Sequence, residues 1–127
     1  MRVGETIENY LETIYILSQE QEAVRSVDLA HAMDYSRPTI SVMMKQLREA
    51  GLIVMDDSGF IQLTDQGRTI ARQVYERHVL LTDLLVSLGV SRETAAEDAC
   101  KVEHVISQET FQKIKAFYEG RMELPEK

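Results

Sequence analysis

Ile7, Tyr10, Leu11, Ile14, Tyr15 and Leu17 recur at steps of three and four, so they form one stripe of an amphipathic helix, with Glu5, Glu8, Asn9 and Glu12 on the other side. After the polar stretch from Ser18 to Glu22, Val24-Arg25-Ser26 opens a second element, with Ser26 as the expected N-cap of a short helix through Met33. Asp34-Tyr35 interrupts. Ser36 then offers a new N-cap, and Pro38 falls in the first turn, where its missing N–H costs nothing. Ile40, Met43, Met44 and Leu47 share a face of this third helix, and Gly51 ends it as a C-cap glycine does. Leu52-Ile53-Val54-Met55 and Phe60-Ile61-Gln62-Leu63 read as short strands around the turn cluster Asp56-Asp57-Ser58-Gly59. Thr64 caps a long helix to about Leu85, Gly89 breaks it, Ser91 starts another, and Ser107 starts a last one carrying Phe111, Ile114 and Tyr118. The tail from Gly120 to Lys127 is polar and expected to fray.

Two short helices joined by a tight turn, the second N-capped and basic on its outer face, describe a helix-turn-helix, and the hairpin that follows is a wing. A generic helical domain with a hairpin is the plainer alternative; order, lengths and caps favour the winged motif. The chain is therefore expected to be mainly α. A winged helix-turn-helix DNA-binding domain with a small β-hairpin occupies residues 1–71, and a helical dimerisation and metal-binding domain occupies 72–127. Leu80, Leu81, Leu84, Leu85, Val86 and Leu88 are more apolar surface than a small helical unit hides internally, which points to a two-fold dimer.

Composition changes this picture in two places. The net charge of −7 over 127 residues argues against nucleic acid, but the window from Tyr35 to Arg48 holds Arg37, Lys45 and Arg48 and no acidic residue. A single cysteine forbids an intramolecular disulfide, and no apolar run has the length of a signal-peptide core or a membrane span, so a soluble cytoplasmic protein with no membrane partner is expected. An apolar fraction of 44% supports a folded core.

The chemistry concentrates in Ala95-Ala96-Glu97-Asp98-Ala99-Cys100-Lys101-Val102-Glu103-His104. Cys100, Glu103 and His104 stand at i, i+3 and i+4, which on a helix is one face. Thiolate, carboxylate and imidazole together suit a divalent transition ion better than calcium or magnesium, which prefer oxygen shells. A buried cysteine beside solvated Glu and His is the bland alternative. Three ligands from one helix do not close a shell, so others must come from elsewhere. No nucleophile–base pair or glycine-rich phosphate loop is present, so nothing asks for catalysis.

Four stretches together resemble one family: Glu8-Asn9-Tyr10-Leu11-Glu12-Thr13-Ile14-Tyr15, Ser36-Arg37-Pro38-Thr39-Ile40-Ser41, Leu63-Thr64-Asp65-Gln66-Gly67-Arg68, and Asp98 through Ser107. The chain is similar to the metal-dependent repressors typified by the diphtheria toxin repressor and the manganese transport regulator, in the short form without a C-terminal barrel. The resemblance implies that Cys100, Glu103 and His104 are ligands from the dimerisation helix, that Asn9 occupies the family's Met or Asp ligand position, and that Glu12 and His78 serve an adjoining second ion. Thr82 and Ala96 stand where the iron-type ancillary site has an acidic residue and a His, so that site is not expected. For DNA, Ser36, Arg37, Pro38, Thr39 and Ser41 would present from the recognition-helix N-terminus, with Val42 where relatives often place Gln, able to meet a thymine methyl. Arg25, Lys45 and Arg48 would meet phosphate, and the acidic wing tip Asp56-Asp57 would repel it. The expected function is a homodimeric, divalent-metal-activated repressor that binds a palindromic operator in double-stranded DNA and controls metal homeostasis. Iron(II) is the first choice of co-repressor because Cys100 is a soft ligand, manganese(II) is the close alternative, and other divalent transition metals would substitute in vitro. The rivals are a winged-helix regulator with a structural metal and another signal, and a small metalloenzyme.

Overall fold

The computed structural model describes residues 4–120, so the polar tail beyond Gly120 lies outside the described residues. Among these, the chain is mainly helical, with one two-stranded sheet: α1 (Glu5–Glu20), α2 (Ser26–Met33), α3 (Arg37–Glu49), β1 (Ile53–Met55), β2 (Ile61–Leu63), α4 (Asp65–Ser87), α5 (Arg92–Val102) and α6 (Gln108–Tyr118). It divides into two compact units, residues 1–73 and 74–127, and α4 runs through the boundary.

The first unit is a winged helix-turn-helix. Its core is built by Tyr10, Leu11 and Ile14 of α1, Leu29 of α2, Ile40, Met44 and Leu47 of α3, the sheet residues Ile53, Ile61 and Leu63, and Ala71 at the start of α4. α2 begins at Ser26 itself, one residue earlier than a Ser26 cap requires. The reason is Asp28, whose Oδ2 accepts from the Arg25 backbone N–H at 2.8 Å and makes Arg25 the N-cap. Asp34, in the left-handed region at φ 56°, closes α2 and turns the chain towards α3. Ser36 caps α3 as the sequence indicates, accepting from Thr39 N–H at 3.3 Å. At its far end Gly51 takes φ 75° while Gly51 N–H donates to Arg48 and Leu52 N–H to Leu47, a left-handed closure that glycine makes without strain.

β1 and β2 pair antiparallel with Ile53 opposite Leu63 and Met55 opposite Ile61, and Ile61 N–H donates across to the Val24 carbonyl at 2.7 Å. The wing turn is organised by Asp56, whose Oδ1 accepts from Ser58 N–H at 2.9 Å and Phe60 N–H at 3.0 Å. Asp56 is thereby fixed in the turn with Asp57 beside it at the tip.

The start of α4 is locked to the hairpin. Thr64 Oγ1 accepts from Gly67 N–H at 3.1 Å and donates to the Gly51 carbonyl at 2.7 Å. A Cβ on Gly67 would stand 2.0 Å from the Leu52 carbonyl oxygen, so the position admits no side chain at all.

The second unit comprises the rest of α4 with α5 and α6. Ser91 and Ser107 cap the last two helices by accepting from Thr94 and Thr110 N–H. Ala95 and Ala99 are buried at i, i+4, Phe111 is buried on α6, and Val74, Leu80 and Leu81 are buried on α4. The Leu80–Leu88 cluster is thus less exposed than its sequence implies: Leu80 and Leu81 are internal, and it is Leu88, 72% exposed, that stands out. Tyr75, Val79, Val102, Val105, Phe117 and Tyr118 add exposed apolar surface on this unit.

Gly67→Ala is expected to lower unfolding stability by about 1–3 kcal/mol, because a methyl forced into the Leu52 backbone must displace the hairpin or the helix start. Urea denaturation followed by circular dichroism, wild type beside variant, checks this.

Candidate metal centre and nucleic-acid interface

α5 buries a stripe at i, i+4 and i+8: Ala95, Ala99 and then Glu103. The two alanines let the helix approach closely, and the stripe ends in a carboxylate with no solvent exposure. Glu103 is the C-cap of α5, its N–H donating to the Ala99 carbonyl at 2.9 Å, and His104 follows in the turn beyond. The one-face helix expected for Cys100, Glu103 and His104 is therefore corrected in detail. Cys100 lies in the last turn, exposed, while Glu103 and His104 belong to the buried exit of the helix.

The arrangement gathers the donors nonetheless. Each of Cys100, Glu103 and His104 offers a ligand atom within 4.8 Å of the others. Bonds of about 2.0–2.3 Å place two donors on one ion at most about 4.6 Å apart, so the set fits a shared ion with little adjustment. His78 of α4 joins them: its Nδ1 lies 3.0 Å from Glu103 Oε2, and His104 Nε2 lies 3.4 Å from Glu103 Oε1. A carboxylate buried this completely needs positive charge or several donors beside it. A cysteine sulfur, a carboxylate and an imidazole in one place are the donor set of a divalent transition ion. Asn9 and Glu12 sit one turn apart on α1 in the first unit, Asn9 half-buried and Glu12 buried. The burial of Glu8 and Glu12 departs from the solvated polar face that the spacing of α1 indicates. Thr82 is buried too, a hydroxyl at the place of the ancillary carboxylate.

Arg77 is the feature the sequence does not single out as functional. It is buried, and Nη1 donates to the carbonyls of Glu103 at 3.0 Å and Ile106 at 3.1 Å, while Nη2 donates to Gln108 Oε1 at 2.6 Å. The signal that could have found it is an arginine beside a candidate ligand, three residues after Val74 and four before Leu81 on the apolar stripe of α4.

The DNA-facing candidates lie in the first unit. Arg37, Pro38, Thr39, Ser41, Val42, Lys45 and Arg48 are all exposed along α3, Val42 at 57%. Ser36 and Thr39 hydroxyls pair at 2.9 Å, so both serve the helix start before any base edge. The Arg25 guanidinium stacks 4.6 Å from the centroid of Phe60, and a groove between α2, α3 and the hairpin is lined by Arg25, Ser26, Arg37 and Ser41. Just past the basic window stands Glu49, which lies 3.9 Å from Lys45 at an exposed i, i+4 spacing.

Comparison with known proteins agrees with both units. The family model described as the iron dependent repressor N-terminal DNA binding domain matches residues 2–59, and that of its metal binding and dimerisation domain matches residues 64–126. The chain belongs to the iron-dependent repressor family. This is a family of transcriptional regulators, not of enzymes. Among curated relatives, the transcriptional regulator MntR of Escherichia coli O157:H7 is 38% identical over 113 residues, 89% of this chain and 73% of the relative. The diphtheria toxin repressor of Corynebacterium diphtheriae is 34% identical over 106 residues, 83% of this chain and 47% of that protein. A solved manganese-dependent transcriptional repressor in complex with manganese aligns at a TM-score of 0.78 and 30% identity, over 91% of this chain and 53% of its own. This chain thus spans about half the length of these last two proteins. Among the described residues, no helix is long and apolar enough to cross a membrane.

Glu103→Ala is expected to weaken divalent-metal binding by more than the roughly 10–100-fold typical of losing an outer-shell partner. Competition against a metallochromic chelator measures it.

Proposed function

We propose that this chain is a divalent-metal-activated, homodimeric repressor that binds a palindromic operator and controls metal-ion homeostasis. The carrying observation is that Cys100, the buried Glu103 and His104 each bring a ligand atom within 4.8 Å of the others, with His78 Nδ1 3.0 Å from Glu103 Oε2, in the unit that matches the family's metal-binding domain. Cys100, Glu103 and His104 would hold the ion, and the family resemblance adds Asn9, with Glu12 and His78 serving an adjoining second ion. A bound divalent cation supplies the positive charge that a buried Glu103 carboxylate calls for. Ligands drawn from α1 as well as from the second unit would favour one arrangement of the paired recognition helices over others, which is how a co-repressor raises operator affinity. The exposed apolar residues Tyr75, Leu88, Val102, Val105 and Phe117 would be covered in the dimer.

On the DNA face, Arg37, Lys45, Arg48 and the Phe60-stacked Arg25 would meet phosphate, with Ser41 and Val42 nearest the base edges. Glu49, 3.9 Å from Lys45 and exposed, forms only a loose pair with it and acts here as a negative charge close to the phosphate-facing cations.

For the co-repressor we favour iron(II), because Cys100 is a thiolate donor that touches the ion directly, and soft donors favour iron and later ions over manganese. Manganese(II) is the second reading, favoured by the 38% identity to MntR and the alignment with a manganese-bound repressor.

Two outcomes are expected. With duplexes selected from a random-sequence library, anaerobic iron(II) promotes binding at lower concentration than manganese(II), and Cys100→Glu reverses that order; repression by manganese alone, or an order that Cys100→Glu leaves untouched, overturns the choice of iron. Lys45→Ala and Arg48→Ala each lower affinity and flatten the salt dependence by about 0.9 in log–log slope, whereas Glu49→Gln raises affinity by removing a negative charge beside Lys45. Fluorescence anisotropy across a salt series reads both.

A further inference from the structure

We propose that Arg77 is the positioning residue of the metal centre, holding the turn that carries Glu103 and His104 against α4 so that His78, Glu103 and His104 are already gathered when the ion arrives. The inference rests on the metal-binding reading above. Its basis is the way Glu103 is pinned at both of its peptide groups. Its N–H donates to Ala99, and its carbonyl accepts from Arg77 Nη1, so the residue has little freedom to carry its carboxylate elsewhere. The same Nη1 reaches Ile106, and Nη2 reaches Gln108 Oε1, so one guanidinium ties the end of α5, the turn and the start of α6 together. The Phe111 ring, with its centroid 5.4 Å from the guanidinium carbon, supports the plane from below.

Two physical points favour this role over simple packing. Carbonyls at a helix C-terminus lack intrahelical partners and carry partial negative charge, so a buried cation there is well placed. Arginine also presents a rigid planar fork of donors, which lysine, a point charge on a flexible stem, does not reproduce. Arg77 adjoins His78 in sequence, so the residue that fixes Glu103 stands on the same turn of α4 as the imidazole 3.0 Å from it. Arg77 itself is no ligand: a guanidinium has donors only. It acts on the ion through the backbone of Glu103.

The test uses the full chain with manganese(II) and cobalt(II) as probes. Circular dichroism establishes folding, electron paramagnetic resonance of free manganese gives the dissociation constant, and the cobalt ligand-field spectrum reports ligand geometry. Arg77→Met is expected to fold, to weaken manganese binding about 10–100-fold and to shift the cobalt bands, as loss of an outer-shell partner does. Arg77→Lys recovers part of the affinity, and Gln108→Ala, which keeps both carbonyl bonds, shows a smaller loss in the same direction. A folded Arg77→Met with wild-type affinity and spectrum, or with tighter binding, overturns the proposal. If Arg77→Met does not fold, Gln108→Ala decides, and wild-type affinity and spectrum there overturn it equally. Wild-type protein that binds neither ion overturns the metal-binding reading itself, a result distinct from either.

Discussion

A carboxylate removed from water is among the more expensive things a fold can contain, and Glu103 is removed from water altogether. The second unit is arranged around that cost. Small residues on α5 bring the carboxylate inward, His78 and His104 flank its two oxygens, and Arg77 anchors its backbone. Each of these is weak justification for burying a charge; together they describe a place that a divalent cation completes. The family's metal-binding domain maps onto the same segment, so chemistry and kinship point to one location.

Many of these features are legible in the amino-acid sequence. Ser36, Ser91 and Ser107 announce helix starts because a hydroxyl that caps must precede the apolar repeat, and Gly51 announces an end because a left-handed residue is required there. Thr64 is equally plain. Spacing finds Cys100, Glu103 and His104, yet spacing alone misjudges their setting: a helix that ends at Val102 still places Glu103 in register, and only its environment shows that the thiol is outside and the carboxylate inside. Polarity also misleads on α1, since Glu8 and Glu12 read as solvated and are buried. The role of Asp56 is hidden for a related reason. An acidic residue in a turn looks like surface charge until its oxygen is seen to hold two backbone amides. Arg77 is the hardest to read, because its acceptors lie 26 to 31 residues away and are mostly backbone carbonyls, which no side-chain pattern reveals.

The first unit reconciles an acidic chain with a nucleic-acid partner through placement. Its cations share the exposed side of α3 and the groove beside it, while the acidic surplus lies elsewhere or is occupied, as Asp28 and Asp56 are, in holding backbone amides. Specific electrostatics in such a chain depends on a handful of positions, and a single misplaced carboxylate such as Glu49 matters more than the total charge.

Both halves of the protein are closed by contacts that reach far along the chain. In the first unit Thr64 closes onto Gly51 across 13 residues and Ile61 onto Val24 across 37. Arg77 must find partners 26, 29 and 31 residues distant. Longer closures cost more chain entropy, though the cost grows slowly with length. The setting of Glu103 thus depends on three helices being in place at once, α4 through Arg77, the end of α5, and α6 through Gln108.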